Sequence, residues 1–500
     1  MISTTIVYKL SKSKIIAGLQ CPKRLWLQTH KPEMAEQDEM DELGFSIGTN
    51  VGEIARTLYA DGILVGDYDN LYASLARTKT LLTSRDDAVL FEAAFSANDI
   101  LILADIVEKQ GSSLMLIEVK SSTSTKNHHI KDAAVQSWVM ESAGFKPAKV
   151  LIRHINNTFV YPGEGNYIGI LTDDDVTDVV SAITKEVPKW IDNFQEVLNG
   201  KEPPIEVGNQ CEDPYACEFY SYCARNLPPE PEYSVYILPR GGAKADELWQ
   251  AGYRDLRDVP ADILDKEMHL RVHEATLSGK PFLDPNVTGE LSILSYPRYY
   301  IDFEGINFAI PIWAGTRPYQ QIPFQFSCHI ENQPGSLGHK AFLHADIKSP
   351  ILSFTDALLN AVGTQGPIFV YNSAYEKTII DQLAAMLPDR ADRLYAVIER
   401  IVDLLPITRS SYYHPAMKGS WSIKAVLPTI APNLSYDTLE EVADGIAAQN
   451  AFIEIISTGT TENRRKFLAE HLLAYCARDT LALVAIADYL EKGFVRTFQT

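Results

Sequence analysis

Cys21 stands near the start of the chain, and Cys211, Cys217 and Cys223 follow some 190 positions later as a C-x5-C-x5-C run. One object bound by all four thiols would join the two ends of that stretch, and closing so long a loop removes much of the unfolded chain's freedom. The first part of the chain must therefore return to its own beginning. With 6 Cys in 500 residues a disulfide framework is excluded, and clustered thiols point to metal. The C-x2-C pairs of a zinc knuckle are missing. Wider spacing suits a four-iron, four-sulfur cubane, with one thiolate per iron, ahead of Zn2+ or unmetallated structural thiols. Cys328 and Cys476 lie among apolar residues and read as buried core thiols.

Length adds a second constraint. At about 150 residues per domain, 500 residues imply roughly three folding units. The Pro- and Glu-rich NLPPEPEYS closes a first unit at about residue 225. Residues 226–290 read as a connector with a faint helix-hairpin-helix look, and a last unit covers 291–500. ILILADIV (100–107), SLMLIEVKSS (113–122) and KVLIRHI (149–155) have strand character, with the helical IKDAAVQSWVMESAG before the third. In the last unit YPRYYIDFEGI, PFQFSCHI and GPIFVYN are strands, and RRKFLAEHLLAYCARDTLALVAIADYL is a long helix. Both units are therefore α/β (α+β).

A net charge of -20 repels phosphate backbones, so a nucleic-acid substrate would have to enter a locally basic channel. Lys109 to Arg153 offers one, with seven Lys/Arg against three Asp/Glu. No apolar run approaches the roughly 18 residues of a membrane span, and the opening residues lack a leader pattern, so the expected location is cytoplasmic with no membrane partner.

Two acidic patterns carry chemistry. Glu118 and Lys120 share one face of a strand. Asp105 on the preceding strand can join Glu118 around a divalent cation, and Lys120 can steady an attacking hydroxide or the phosphorane charge. Gln136, on the next helix, can orient substrate or Lys120. In the last unit Asp302 and Glu304 share a strand face, a costly pairing unless a cation sits between them. Asn372 reads as a helix cap with Glu376 one turn further in. Tyr475 and Asp479, four apart, share a helical face.

The first set, with the SKSKIIAGLQCPKRLWL opening, ADIV, IEVKSS, DAAVQ and the trailing Cys triplet, resembles RecB-like nucleases of the PD-(D/E)XK superfamily, in particular the CRISPR-associated iron–sulfur branch. The resemblance covers most of residues 10–225. It implies a restriction-endonuclease-like fold stapled by the cluster, DNA cleavage with Mg2+ or Mn2+, and a further ligand from an early helix: Glu53, with Glu92 as rival. The triplet departs from the shorter C-x2-C of many relatives. Order and spacing of the second set resemble DnaQ-like 3'-to-5' exonucleases of the RNase H-like fold, over about 296–500. That implies two metals held by Asp302, Glu304, Glu376 and Asp479, with Tyr475 positioning or deprotonating the water. Glu376 stands where that family usually has Asp, and Asp381 is a fallback. Asp403 and Lys424 read equally as substrate-lining residues or as caps and packing.

The pairing itself resembles a bacterial family of unassigned function that joins these two nucleases. It implies two phosphodiester-cleaving centres acting on DNA rather than RNA, at single-stranded ends, in repair, recombination or defence. Two alternatives stand beside it: one active centre with the C-terminal unit as a binding platform, and a non-catalytic iron–sulfur adaptor. Protein partners are not legible.

Overall fold

The computed structural model describes residues 10–36, 39–67, 70–434, 442 and 444–498, with the side chains of 39–46 left aside. The chain forms two units. The first comprises residues up to Pro228 together with Phe308–Tyr319, and the second comprises Pro229–Asn307 and Gln320 onward.

In the first unit the strands are β1 (Leu10–Ser11), β2 (Ile63–Leu64), β3 (Asp87–Ala97), β4 (Ile100–Gln110), β5 (Ser113–Lys120), β6 (Lys149–Ile155) and β7 (Leu171–Asp175). They form one sheet of order β2-β3-β4-β5-β6-β7, with β1 parallel to β4. β3, β4 and β5 are an antiparallel meander, and the β5–β6 pair is parallel. A parallel pair needs a crossover, and helix α5 (Asn127–Ser142) supplies it, with α1 (Lys12–Gln20), α2 (Pro22–His30), α3 (Glu39–Thr57) and α4 (Leu71–Ser84) earlier in the chain. Next come α6 (Thr177–Thr184), α7 (Val187–Asn199) and the single turn α8 (Tyr220–Ala224). Leu90, Ile102, Leu116, Ala133, Val139 and Ile152 belong to the core on one face, and Ala55, Phe91, Ile106 and Ile117 to that on the other. β5 is thus buried on both sides, which explains its nearly unbroken apolar run.

The second unit begins with α9 (Gly242–Gln250), α10 (Glu267–Ser278), β8 (Phe282–Leu283) and α11 (Val287–Ser292). The sheet follows: β9 (Arg298–Ile306), β10 (Ile322–Glu331), β11 (Leu337–Leu343), α12 (Ile351–Ala361), β12 (Ile368–Val370), α13 (Ala374–Met386), α14 (Ala391–Glu399) and β13 (Ile401–Asp403). Then come α15 (Leu404–Ser411), β14 (Tyr412–Tyr413), α16 (Ile423–Ile430), α17 (Gly445–Ile456) and α18 (Glu462–Lys492). Strand order is β11-β10-β9-β12-β13, antiparallel on the β10 side of β9 and parallel on the β12 side. α18 crosses β9 and β10, capped by the Thr461 hydroxyl at its start and by Gly493 at φ 75° at its end.

The sequence-derived boundaries need two corrections. Residues 226–290 are not a mere connector: Val235, Leu248, Leu256, Val272 and Val287 share one apolar core with Tyr300, Phe369 and Leu483. Segment 308–319 lies within the span 291–500 but belongs to the first unit, where Ala309 packs with Val51 and Ile155 and the Tyr319 hydroxyl donates to the Ser121 carbonyl. Among the described residues, no helix is long and apolar enough to cross a membrane.

Candidate functional site

The pairing of Ile106 with Ile117 sets the β4–β5 register, so one step on Asp105 and Glu118 stand side by side. Asp105 Oδ2 accepts from the Val119 amide at 2.7 Å. Burial and the Glu118 charge push its carboxyl up to about 7. Glu118, fully buried, goes the other way: burial would raise it, but Lys12 and Lys120 outweigh that and hold it well below the usual carboxylate range. Glu118 Oε1 accepts from Lys12 Nζ at 2.8 Å and Lys120 Nζ at 2.7 Å, and its Oε2 accepts from Gln136 Nε2 at 2.6 Å. Lys120 also donates to Asp132 Oδ2 at 2.7 Å. Gln136 therefore orients Glu118, not Lys120.

Lys12 and Asp132 went unassigned in the sequence reading. Lys12 comes from α1, 106 positions before Glu118. A Lys in a Ser/Lys-rich helix start carries no local signal of that contact. Asp132, by contrast, lies one helical turn before Gln136 and was legible by spacing. Glu53 is exposed on α3, whereas its rival Glu92 is among the charges that raise Asp105. Pairing of Phe91 with Ile106 and Ala93 with Ala104 places Glu92 opposite Asp105. Glu92 sits at φ 50°, and a Cβ on the adjacent Gly66 would come within 2.5 Å of its own Cβ. Glycine at 66 leaves room for this strained backbone.

Cys21, Cys211, Cys217 and Cys223 line one cavity together with Leu27, Ile205 and Phe219. Each thiol is free. Cys21 falls at the α1–α2 junction, and the Cys217 amide bonds the Cys211 carbonyl at 2.8 Å, curling the triplet back on itself. Burial pushes the Cys217 thiol up to about 11 and also raises Cys223. Four soft donors thus line one cavity, whose wall also carries Lys23, Arg24, Glu206 and Gln210.

In the second unit Asp302 and Glu304 project from the same face of β9. One ligand atom each of Asp302, Glu304 and Cys476 lies within 4.8 Å of the others. Burial and the charges of Asp479, Glu304 and Glu376 push Asp302 well up. Burial and Asp479 push Glu304 up to about 8, with Lys424 pulling the other way. Glu376, buried in the first turn of α13, is raised to about 8 by burial. The Tyr475 hydroxyl is strongly raised by burial and then by Asp479, Glu304 and Asp302, and Lys424 Nζ lies 5.7 Å from its ring centre. All five sequence-derived residues of this set thus converge. Cys476 is a correction, because its Sγ lies 3.9 Å from Asp302 Oδ2 instead of among apolar groups only. Its position three before Asp479 was the available signal.

Three further readings resolve. Asn372 is not a cap. It sits at φ 71°, and its amide and that of Ser373 bond the two oxygens of Asp403 at 2.9 Å each. Asp403 also caps α15 through the Leu405 amide at 3.0 Å, so it fixes the corner that aims α13. Asp381 is exposed on α13.

Fold and site define a two-unit mixed α/β protein with two carboxylate clusters and a four-thiol cavity. A family model described as "Domain of unknown function (DUF2779)" matches residues 299–422, a span that holds Asp302, Glu304 and Glu376 but not Tyr475 or Asp479. The chain is 27% identical over 221 residues to "Uncharacterized protein MG366 homolog" of Mycoplasma pneumoniae, covering 40% of this chain and 33% of that protein. It is 22% identical over 228 residues to "Uncharacterized protein MG366" of Mycoplasma genitalium, covering 41% and 34% respectively. "Uncharacterized protein UU173" of Ureaplasma parvum is 23% identical over 222 residues, 40% of this chain and 32% of that protein. The chain thus spans about a third of the length of the curated relatives it matches.

Proposed function

We propose that this protein is a metal-dependent nuclease that hydrolyses phosphodiester bonds of DNA, with its second-unit centre the better equipped of two. One observation carries the reading: Asp302, Glu304, Glu376 and Asp479 come from β9, α13 and α18 into one neighbourhood, and burial together with their mutual repulsion drives Asp302 well up. Divalent cations relieve such repulsion. The strand order β11-β10-β9-β12-β13, with only the β10 side antiparallel, supports an RNase H-like unit. The antiparallel meander followed by a helix and a parallel strand supports a PD-(D/E)XK-like first unit.

Asp302, Glu304, Glu376 and Asp479 would hold Mg2+ or Mn2+, which supplies Lewis-acid polarisation of the phosphate and an activated water. The Tyr475 hydroxyl, raised first by burial and then by Asp479, Glu304 and Asp302, would position or deprotonate the water. In the first unit Asp105 and Glu118, with Glu92 beside them, would hold the ion, while Lys12 and Lys120 supply positive charge for an incoming phosphate. Lys12 and Lys120 already neutralise Glu118. This favours a second reading in which only the second centre cuts. Cys21, Cys211, Cys217 and Cys223 would hold an iron–sulfur cluster.

The test offers end-labelled single- and double-stranded DNA and RNA, with Mg2+ or Mn2+, to wild type, Asp105→Ala, Asp302→Ala and the double variant. Loss in Asp302→Ala is expected. Loss confined to Asp105→Ala would move the activity to the first unit, and equal digestion by all four would refute the proposal. Anaerobically purified protein should be brown. A colourless protein carrying zinc would replace the cluster assignment.

A further inference from the structure

We infer that the second centre also binds a thiophilic cation such as Zn2+ or Cd2+, using Cys476 with Asp302 and Glu304, and that this ion displaces Mg2+ or Mn2+ and shuts the centre down. The inference presupposes the metal-dependent reading of the same cluster and adds a regulation to it.

The geometry favours a small tetrahedral ion. With Zn–S of about 2.3 Å and Zn–O of about 2.1 Å, the sulfur and oxygen must stand roughly 3.6 Å apart. Cys476 Sγ and Asp302 Oδ2 are 3.9 Å apart, and Glu304 closes the trio within 4.8 Å. A shift of a few tenths of an ångström closes the Cys476–Asp302 pair, and one of up to about 1.2 Å brings in Glu304. Cys476 is fully buried, while Asp302 and Glu304 are partly exposed, so an ion arriving over the carboxylates would meet the thiol beneath them.

A second observation points to the same place. Glu376 is only 2% exposed, yet its Oε2 has no hydrogen-bond partner, and its charge acts on Asp302. A buried, unpaired carboxylate oxygen is costly unless a ligand satisfies it, and this one stands close enough for its charge to act on Asp302 while lying outside the Asp302–Glu304–Cys476 trio. Softness then separates the cations. Mg2+ and Mn2+ prefer oxygen and gain nothing from a thiol, whereas zinc and cadmium bind thiolate strongly. Cys476 therefore adds affinity only for the ions that would block the centre, and its proton passes to solvent as the bond forms.

The experiment uses the full chain with its four-thiol site loaded, and follows bound Mn2+ by its electron paramagnetic resonance while Zn2+ is added. Wild type should release Mn2+ at a zinc concentration at least about tenfold lower than Cys476→Ala does, the scale on which disturbing a metal's surroundings weakens binding. Mn2+ affinity itself should stay within about twofold of wild type. Cadmium-113 resonance of wild type should show a signal of mixed sulfur–oxygen coordination that Cys476→Ala lacks. Cys476→Ser, which preserves size, guards against a packing defect and should behave like the alanine variant. Equal zinc sensitivity in all three proteins would overturn the inference while leaving Mn2+ binding intact. Absence of bound Mn2+ in wild type would overturn the metal-dependent reading beneath it, and the inference with it.

Discussion

Replacing Glu304 by Gln should make the metal-free protein more stable, and increasingly so as pH rises. Burial and Asp479 hold the Glu304 carboxyl near 8 against an ordinary value of 4.5. A folded value above the unfolded one means that the native state keeps a proton the unfolded chain has lost, so stability falls as pH climbs from 4.5 through 8. Taken at face value that gap corresponds to roughly 5 kcal/mol once both states are ionised. Glu304 is partly exposed, and solvent screening leaves about 2–3 kcal/mol. Glu304→Gln removes the charge and should recover that amount at pH 9, about 5–10 °C in the melting of the second unit, and almost nothing at pH 4. Thermal melts of wild type and E304Q in EDTA at both pH values measure it. With Mn2+ at about 100 times its Kd, wild type should gain roughly 2.7 kcal/mol, and E304Q markedly less. An E304Q protein no more stable than wild type at pH 9, or a gain of equal size at both pH values, would refute the crowding argument.

Two further outcomes follow from groups away from the clusters. Asp488 is buried, and although burial would raise its carboxyl, hydrogen bonds from Arg496 and from Lys492 Nζ at 2.7 Å hold it low. Its contribution is complete above the unfolded value of about 3.8 and is lost as pH falls through the lower folded value. Asp488→Asn should cost about 1.5–3 kcal/mol at neutral pH, because Arg496 and Lys492 lose their charge-assisted bonds to Asp488 while Arg496 keeps Glu331, with the deficit shrinking in acid, as denaturant titrations at two pH values will read. Gly366 sits at φ 86°, and a Cβ there would meet the Pro297 carbonyl oxygen at 1.9 Å. Gly366→Ala should cost at least about 3 kcal/mol and reduce soluble yield. A normal melting temperature would show that the 297–366 contact yields.

The strands that carry the clusters were legible because their signals are local. ILILADIV and SLMLIEVK alternate or run apolar at strand length, and they lie in β4 and β5. The long C-terminal pattern with Tyr475 and Asp479 is one helix, α18. Spacing along a strand or helix fixes which side chains share a face, and that was enough to group Asp302 with Glu304 and Tyr475 with Asp479. It did not fix which early acid reaches Asp105. Glu53 and Glu92 are equally plausible as letters, and only the β3–β4 register separates them.

By itself, then, the sequence determined the element types, the carboxylates on each element and the four thiols. Each of these follows from the period of the backbone and from residue chemistry. The tertiary structure alone decided that Lys12 neutralises Glu118, that Asp403 holds the Asn372–Ser373 corner, that residues from 235–291 join the core of the second unit, and that Cys476 meets Asp302. Those contacts join positions far apart in the chain, and their partners are set by sheet order and register. No local spacing encodes them.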